Sequence, residues 1–309
     1  MKDWQPQAEI EVLAQRAKIF ENIRRYFRAR DVLEVTTPVL GSNGVTDPNI
    51  HAYQLHDWYL QTSPEYFLKR LLAAGSGDVY QIGPVFRRDE QGSLHHHEFT
   101  LLEWYRQGFD DRKLASEVVE LILSLTGSPQ KLTVIEMSYA DALARLGIDL
   151  FNESADVYRS YVEKEGLAIV GNFDLAGWRE LVFSEYLQCD FPCDQLTVIY
   201  DYPADCAALA KIHESDPRVA ARFEVFWGAV ELANGYHELT DSQSQQQRFE
   251  SDNKKRESAG LASVPLDQKF LSALESGLPD CAGVALGLDR LVMKLLGRRT
   301  ISEVMTFTD

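Results

Sequence analysis

The sequence is short of cysteine and of basic charge, and it has no long apolar run. Cys189, Cys193, Cys206 and Cys281 are the only cysteines in 309 residues. They are too few and too scattered for a disulfide framework in a chain long enough to bury its own core. Cys189 and Cys193 have no second Cys or His pair at zinc-ligand spacing, so buried or half-buried free thiols are expected. No apolar stretch approaches the ~20 residues of a membrane span. The opening Met1-Lys2-Asp3-Trp4-Gln5-Pro6 has no charged segment leading into an apolar one, as a secretion signal would. A cytoplasmic protein without membrane contact is expected. Lys and Arg number 31 against 47 Asp and Glu, a net charge of −16. Broad binding to nucleic acid needs clustered cations over the phosphates and is excluded on this balance, although a local basic patch is not. The dinucleotide fingerprint GxGxxG, the Gly-Lys-Ser/Thr phosphate loop, internal repeats and low-complexity tracts are missing as well.

What is present is an ordinary globular composition, 45% hydrophobic and 25% charged. Between residues 8 and 30, Ile10, Leu13, Ala17, Phe20, Ile23 and Phe27 recur every three or four positions, the period of an amphipathic helix. A β-rich run at 32–37 stops at Pro38, and turn formers at 41–48 predict a loop. Segments 58–62, 79–82 and 99–105 read as strands, the last two as a hairpin with a long polar tip, and 111–126 as an amphipathic helix. Residues 132–195 carry helical patterns without recognisable chemistry and are expected to be a mostly helical insertion. Strands are expected again at 196–200 and 222–232, helices at 242–260 and 266–276, and a Gly-punctuated strand from 283 running into a helix at 291–296. Strands joined by hairpins and loops, without regular βαβ crossovers, predict an α+β fold: an antiparallel sheet flanked by helices, in one domain over 1–309.

Three clusters carry chemistry. Arg87 and Arg88 close a predicted strand and precede Asp89, Glu90 and the run His95-His96-His97-Glu98-Phe99. A guanidinium at a strand end is a fixed, permanently charged fork for phosphate oxygens, although an arginine pair on a hairpin is also an ordinary solvated pair. Neighbours on a strand face opposite ways, so at most two of the three histidines can share a metal. The second cluster is Glu231-Leu232-Ala233-Asn234-Gly235-Tyr236-His237-Glu238-Leu239. Asn-Gly is a strong turn signal that folds Glu231 and Glu238 toward one cavity, where two carboxylates suit magnesium; solvated acids on a hairpin are the alternative. The third is Gly283-x-Ala285-x-Gly287-x-Asp289-Arg290, whose small residues clear one face of a strand for a flat ligand or for tight packing.

In this order the clusters resemble motifs 1, 2 and 3 of the class II aminoacyl-tRNA synthetases, at about 9–40, 79–106 and 281–297. Thr62-Ser63-Pro64-Glu65-Tyr66, Glu103-Trp104-Tyr105 and the second cluster resemble the lysine branch of that class, and the likeness covers nearly the whole chain. Motif 1 begins within the first thirty residues, leaving no room for the OB-fold anticodon domain of lysyl-tRNA synthetases. A catalytic domain of this branch alone, with Ala285 where synthetases usually have Gly, is similar to the elongation factor P lysine ligases. That resemblance implies ATP-dependent activation of (R)-β-lysine, with α-lysine as a weaker substrate, and transfer to a lysine of elongation factor P. ATP and Mg²⁺ are the implied cofactors and a homodimer the implied assembly. The alternatives are a truncated lysyl-tRNA synthetase, against which the acidic charge speaks, and an inactive regulatory paralogue.

The resemblance also implies residue roles. Arg87 binds the α-phosphate, and Arg290 holds the γ-phosphate near adenine, as the two catalytic residues. Arg88, Asp89, His96, Leu232 and Gly287 complete the ATP site, and Glu231 and Glu238 hold Mg²⁺. Glu65, Glu103 and Tyr105 address the two amino groups of the substrate, with Ser63, Pro64, Asn234, Glu238 and Ala285 around them. Where relatives read Arg-Asn-Glu and His-Asn-Pro-Glu-Phe, this chain has Arg87-Arg88-Asp89 and His95-His96-His97-Glu98-Phe99, which leaves the adenine contacts of that loop least fixed.

Overall fold

The structure, a computed structural model, describes residues 4–127, 132–152, 154–167, 171 and 173–308. Residues 1–3 of the amino terminus, and 153, 168–170 and 172 of the expected insertion, lie outside the described residues.

In chain order the elements are α1 (Ile10–Arg28), β1 (Leu33–Glu34), β2 (Leu40–Gly41), β3 (Gln54–Leu55), β4 (Trp58–Leu60), α2 (Glu65–Ala73), β5 (Val79–Phe86), β6 (Glu98–Gln107) and α3 (Asp111–Leu125). There follow β7 (Thr133–Ser138), α4 (Tyr139–Ala144), α5 (Ala155–Lys164), α6 (Leu175–Tyr186), β8 (Gln195–Pro203), β9 (Val219–Trp227) and β10 (Val230–His237). The chain then forms α7 (Ser242–Ser258), α8 (Gln268–Gly277), β11 (Cys281–Gly287) and α9 (Leu288–Leu295). Eight strands form one sheet in the order β1-β5-β6-β11-β10-β9-β8-β7, and β2-β4-β3 form a small second one. The two outermost pairs of the large sheet, β1–β5 and β7–β8, are parallel, and the pairs between them are antiparallel.

Strand alternation gives the large sheet two different faces. On one, Tyr80, Leu102, Trp104, Val225, Val284 and Leu286 meet Ile23 and Phe27 of α1, Val118 and Ile122 of α3 and Leu291 of α9. Phe27 stacks on Tyr80 with centroids 4.4 Å apart and meets Trp104 edge-on. Asp289, only 3% exposed, ties this face together: it accepts from the Thr100 amide at 2.7 Å and pairs with Arg16 of α1 at 2.7 Å. On the other face, Tyr139, Tyr158, Trp178 and Phe183 of the insertion pack on Ile199, Tyr202 and Phe226. Leu68, Leu72, Phe249 and Phe270 of α2, α7 and α8 pack around Tyr105 and Cys281. The central strands β6, β11 and β10 line a cavity on that same face.

Four expectations are corrected. The insertion opens with β7, which extends the sheet in parallel beside β8. The expected strand 222–232 is two strands, because Gly228, with φ at +54°, turns the chain between β9 and β10. Asn234-Gly235 is mid-strand and makes no turn: a Cβ on Gly235 would lie 2.5 Å from the Phe223 ring, so glycine is needed there for core packing. Cys189 and Cys193 are exposed, Cys206 is half-buried, and only Cys281 is buried.

Candidate active site

The cavity is lined by Ser63, Glu65, Arg87, His96, Glu103, Tyr105, Glu231, Leu232, Asn234, Glu238, Ala285, Gly287 and Arg290 of the residues singled out from sequence. Three others do not line it. Arg88 stands in the turn that follows β5; its guanidinium pairs with Asp89, which also bonds His51. Pro64 sits under the first turn of α2 as its N-cap residue. Glu90 takes the place expected of Asp89 in the lining, 3.0 Å from Arg87 Nη1.

Glu231 and Glu238 share the cavity through a device other than a turn. Seven residues apart on a regular strand they would face opposite ways. A register shift between Glu231 and Ala233, a β-bulge, brings Glu231 to the side of Asn234, Tyr236 and Glu238. The two carboxylates nevertheless stand in different electrostatic neighbourhoods. Burial and then the Glu224 carboxylate push Glu231 up to about 7, while Arg290, Arg222 and Arg87 act against the shift. Glu224 pairs in register with Asn234, so it shares the cavity face, and Arg222 holds it at 2.6 Å. Glu238 instead meets Lys69 Nζ at 2.6 Å, and burial pushes it up to about 8 despite that cation. Glu231 and Glu238 thus line one cavity from different surroundings, the first near Arg290 and Glu224 and the second on Lys69.

At the arginine end, Arg290 lies in the first turn of α9. It donates from Nε to the Leu94 carbonyl and from Nη1 to the Glu231 carbonyl, both at 3.0 Å, and its Nη2 is 2.6 Å from His95 Nε2. Burial and the nearby Arg290 charge hold His95 below the ordinary imidazole value, which leaves it neutral and able to accept from the guanidinium. Arg87 is held by its amide on the His97 carbonyl at 2.9 Å and lies over the Phe99 ring, and its Nε is buried without a hydrogen-bond partner. Two guanidiniums beside an aromatic ring and a buried carboxylate suit a polyphosphate with a base attached. His95, His96 and His97 are spent separately, on Arg290, on the Glu98 carbonyl and against Tyr53, and form no shared metal site.

At the other end, three carboxylates converge. Glu103, 2% exposed, accepts from Ser63 Oγ at 2.8 Å and from the Tyr105 hydroxyl at 2.9 Å. Burial and the neighbouring Glu65 push it up to about 8. The Glu65 amide donates to Ser63 Oγ at 3.0 Å, so the start of α2 is built into the same network. Lys69, one turn further along α2, reaches both Glu65 and Glu238. Sequence reasoning missed it, although a Glu followed four positions later by Lys on a helix places both side chains on one face. Glu238 Oε1 and Asn234 Oδ1 are buried with no hydrogen-bond partner, open acceptors where an ammonium group would bind. Beneath them Gly283 leaves room for the protein's own groups: a Cβ there would lie 2.2 Å from Tyr105 and 2.5 Å from Glu238. Only Ala285 and Gly287 keep the strand low for a ligand.

Among the described residues, the group of metal-type side chains that gather within 4.8 Å is Asp111, Asp201 and His213, outside this cavity. Arg112 already contacts both of its carboxylates, at 3.4 and 2.8 Å.

A family model described as tRNA synthetases class II (D, K and N) matches residues 3–309. The chain is 43% identical to an elongation factor P–(R)-β-lysine ligase of Photorhabdus laumondii, over 99% of this chain and 97% of the relative. It is 44% identical to the Vibrio vulnificus protein of that name, over 99% and 98%, and 43% identical to the Proteus mirabilis one, over 99% and 97%.

Proposed function

The chain belongs to the class II tRNA synthetase family (D, K and N), and from that premise we propose that it is an ATP-dependent ligase that activates (R)-β-lysine and transfers it to a lysine side chain of elongation factor P. The observation that carries the reading is one cavity with Arg87 and Arg290 at one end and Glu65, Glu103 and Glu238 at the other. The first end suits a nucleoside triphosphate and the second an amino acid with two ammonium groups, since buried carboxylates need cationic partners.

In the first step the substrate carboxylate attacks the α-phosphorus, a P–O bond forms, and the bond to pyrophosphate breaks. Arg87 stabilises the charge that grows on the α-phosphate, Arg290 holds the departing end, and the carboxylate cage fixes the amino acid so that its own carboxylate points at phosphorus. In the second step the acceptor amine attacks the adenylate carbonyl, an amide forms, and AMP leaves. Glu231 and Glu238, which line one cavity, would hold Mg²⁺, as the resemblance implies. When bound, the ion neutralises phosphate charge and eases departure of pyrophosphate. Glu238 also borders the amino-acid end of the cavity. We further propose that the protein works as a homodimer.

Pyrophosphate exchange with (R)-β-lysine and with α-lysine, followed by transfer to elongation factor P or to bulk tRNA, tests the reading. Exchange favouring (R)-β-lysine and labelling of elongation factor P are expected. Exchange with neither amino acid overturns it, and charging of tRNA in preference to the protein replaces it with a synthetase.

A further inference from the structure

We propose that the cavity has a second amine site at its mouth, formed by Asp47, Asp252 and Gln245, and that this site receives the acceptor lysine of the partner protein as an ammonium group. The inference rests on the ligase reading and deepens it. It starts from α7. Gln245, Phe249 and Asp252 are spaced by four and then three positions, so they share one face of the helix, and all three line the cavity. The loop between β2 and β3 brings Asp47 and Thr46 to the same lining. Thr46 Oγ1 donates to Asp252 Oδ2 at 3.4 Å, which joins loop and helix.

This compartment offers acceptors and has no cation of its own. Asp47 Oδ1 accepts from the Asn49 amide at 2.8 Å, and among the described residues the second oxygen of each aspartate has no partner. Gln245, 1% exposed, has a buried Oε1 with no hydrogen-bond partner. Half-buried carboxylates elsewhere in the chain sit on an arginine, Asp78 on Arg106 at 2.9 Å and Glu224 on Arg222 at 2.6 Å. Here Arg248 spends Nη1 on the Ala208 and Ala210 carbonyls, and Arg256 spends Nη1 on the Asp47 carbonyl and Nε on that of Ala262. Burial and then the Asp47 charge accordingly push Asp252 above the ordinary carboxylate value, against Lys255, which forms no ion pair with it. An alkylammonium group has three donors and no acceptor, so it satisfies such a set, and the Phe249 ring is an apolar wall for its stem. Two amines meet in the reaction, and exposure tells their sites apart. Glu103 and Glu238, 2% and 0% exposed, enclose the end that takes the amino acid. Asp47 and Asp252 are half-exposed, so their compartment opens to solvent, from which a side chain carried by another protein arrives. Tyr66, next to Glu65, lies within electrostatic reach of both aspartates, so an amine held there adjoins the bound amino acid.

The two half-reactions test the assignment separately. Asp47→Asn and Asp252→Asn should each lower kcat/KM for transfer of (R)-β-lysine to elongation factor P at least ~10-fold, as loss of a charged hydrogen-bond partner does, with pyrophosphate exchange changed less than ~2-fold. Asp252→Glu, which restores the charge, should recover most of the transfer. In the wild type, n-butylamine should compete with elongation factor P without slowing exchange, and n-butanol should do neither. Unchanged transfer in both asparagine variants overturns the inference. So does an equal fall of exchange and transfer, which would give the aspartates to the amino acid. Should the variants fail to fold, the wild type still decides, because butylamine that does not compete with elongation factor P overturns the inference as well. A wild type that exchanges no pyrophosphate, or that exchanges it and leaves elongation factor P unlabelled, overturns the ligase reading instead.

Discussion

Arg87 and Arg290 occupy equivalent ends of their motifs but differ in what the protein already asks of them. Arg290 spends Nε, Nη1 and Nη2 on Leu94, Glu231 and His95, so its loss would loosen the hairpin tip as well as remove charge. Arg87 has a buried, unpartnered Nε and a single side-chain partner, Glu90. It is the cleaner probe. Arg87→Ala should lower kcat for pyrophosphate exchange by about 10²–10³-fold, as loss of one charge-stabilising donor does, with an unchanged circular dichroism spectrum. Arg87→Lys should recover little, since an ammonium cannot reproduce the fork. Glu103 makes a different prediction. Its folded-state value of about 8, set by burial and by Glu65, lies above that of the unfolded chain. The folded protein therefore keeps a proton that the unfolded chain has released, and stability falls as pH rises from ~4.5 to ~8. Glu103→Gln mimics the protonated form. Its unfolding free energy from urea titration should match the wild type at pH 5 and exceed it at pH 8.5 by at least ~1 kcal/mol, and a parallel pair of pH curves would refute this.

At the scale of elements, three glycines on two adjacent strands have three different duties, and only their neighbours tell them apart. Gly235 clears the core face for Phe223, Gly283 clears the cavity face for Tyr105 and Glu238, and Gly287 has nothing nearer than 3.8 Å. Gly283→Ala should destabilise the fold by about 1–3 kcal/mol and disable amino-acid binding. Gly287→Ala should leave the melting temperature within about a degree and raise only KM for ATP. Equal melting temperatures for the two variants would show that Gly283 is not crowded. The contrast also marks what the sequence made legible. Helical period placed α1 and α3 within a residue or two, and hairpin patterning placed β5 and β6. Most residues of both cavity ends were reached through the resemblance to the synthetase motifs, which rests on charged and small side chains in a specific order. What stayed hidden depends on contacts between segments distant in sequence. Asn234-Gly235 carries a turn signal that Phe223, on the neighbouring strand, overrides. The bulge beside Glu231 has no local signature, and the influence of Glu224 on Glu231 comes from a neighbouring strand.

For the whole molecule, the apolar surface left uncovered is concentrated near the amino-terminal third. Leu33, Val39, Leu40, Leu55 and Trp58 are all exposed, Leu55 by 50% and Trp58 by 51%. Leu40, Leu55 and Trp58 lie on one small sheet, with Val39 just before it. Leu55 is the cross-strand partner of Trp58, Leu40 is that of Leu60, and both pairs belong to the small sheet β2-β4-β3. Leu33 lies on β1, the two-residue strand at one edge of the large sheet, where unpaired backbone groups face outward. An edge of this kind, bordered by large apolar side chains, is what a second copy of the chain would cover, and a net charge of −16 otherwise keeps copies apart. The segment also leads directly into Ser63 and Glu65 of the cavity, so covering it would steady the start of α2. Light scattering should give a mass near twice 35.1 kDa, with a melting temperature that rises with protein concentration. Leu55→Asp combined with Trp58→Asp should yield monomers. If the small sheet does steady the carboxylate cage, those monomers should show a raised KM for the amino acid and an unaltered KM for ATP. A wild type that is monomeric at micromolar concentration would exclude the dimer, and monomers with wild-type kinetics would show that the cage stands without it.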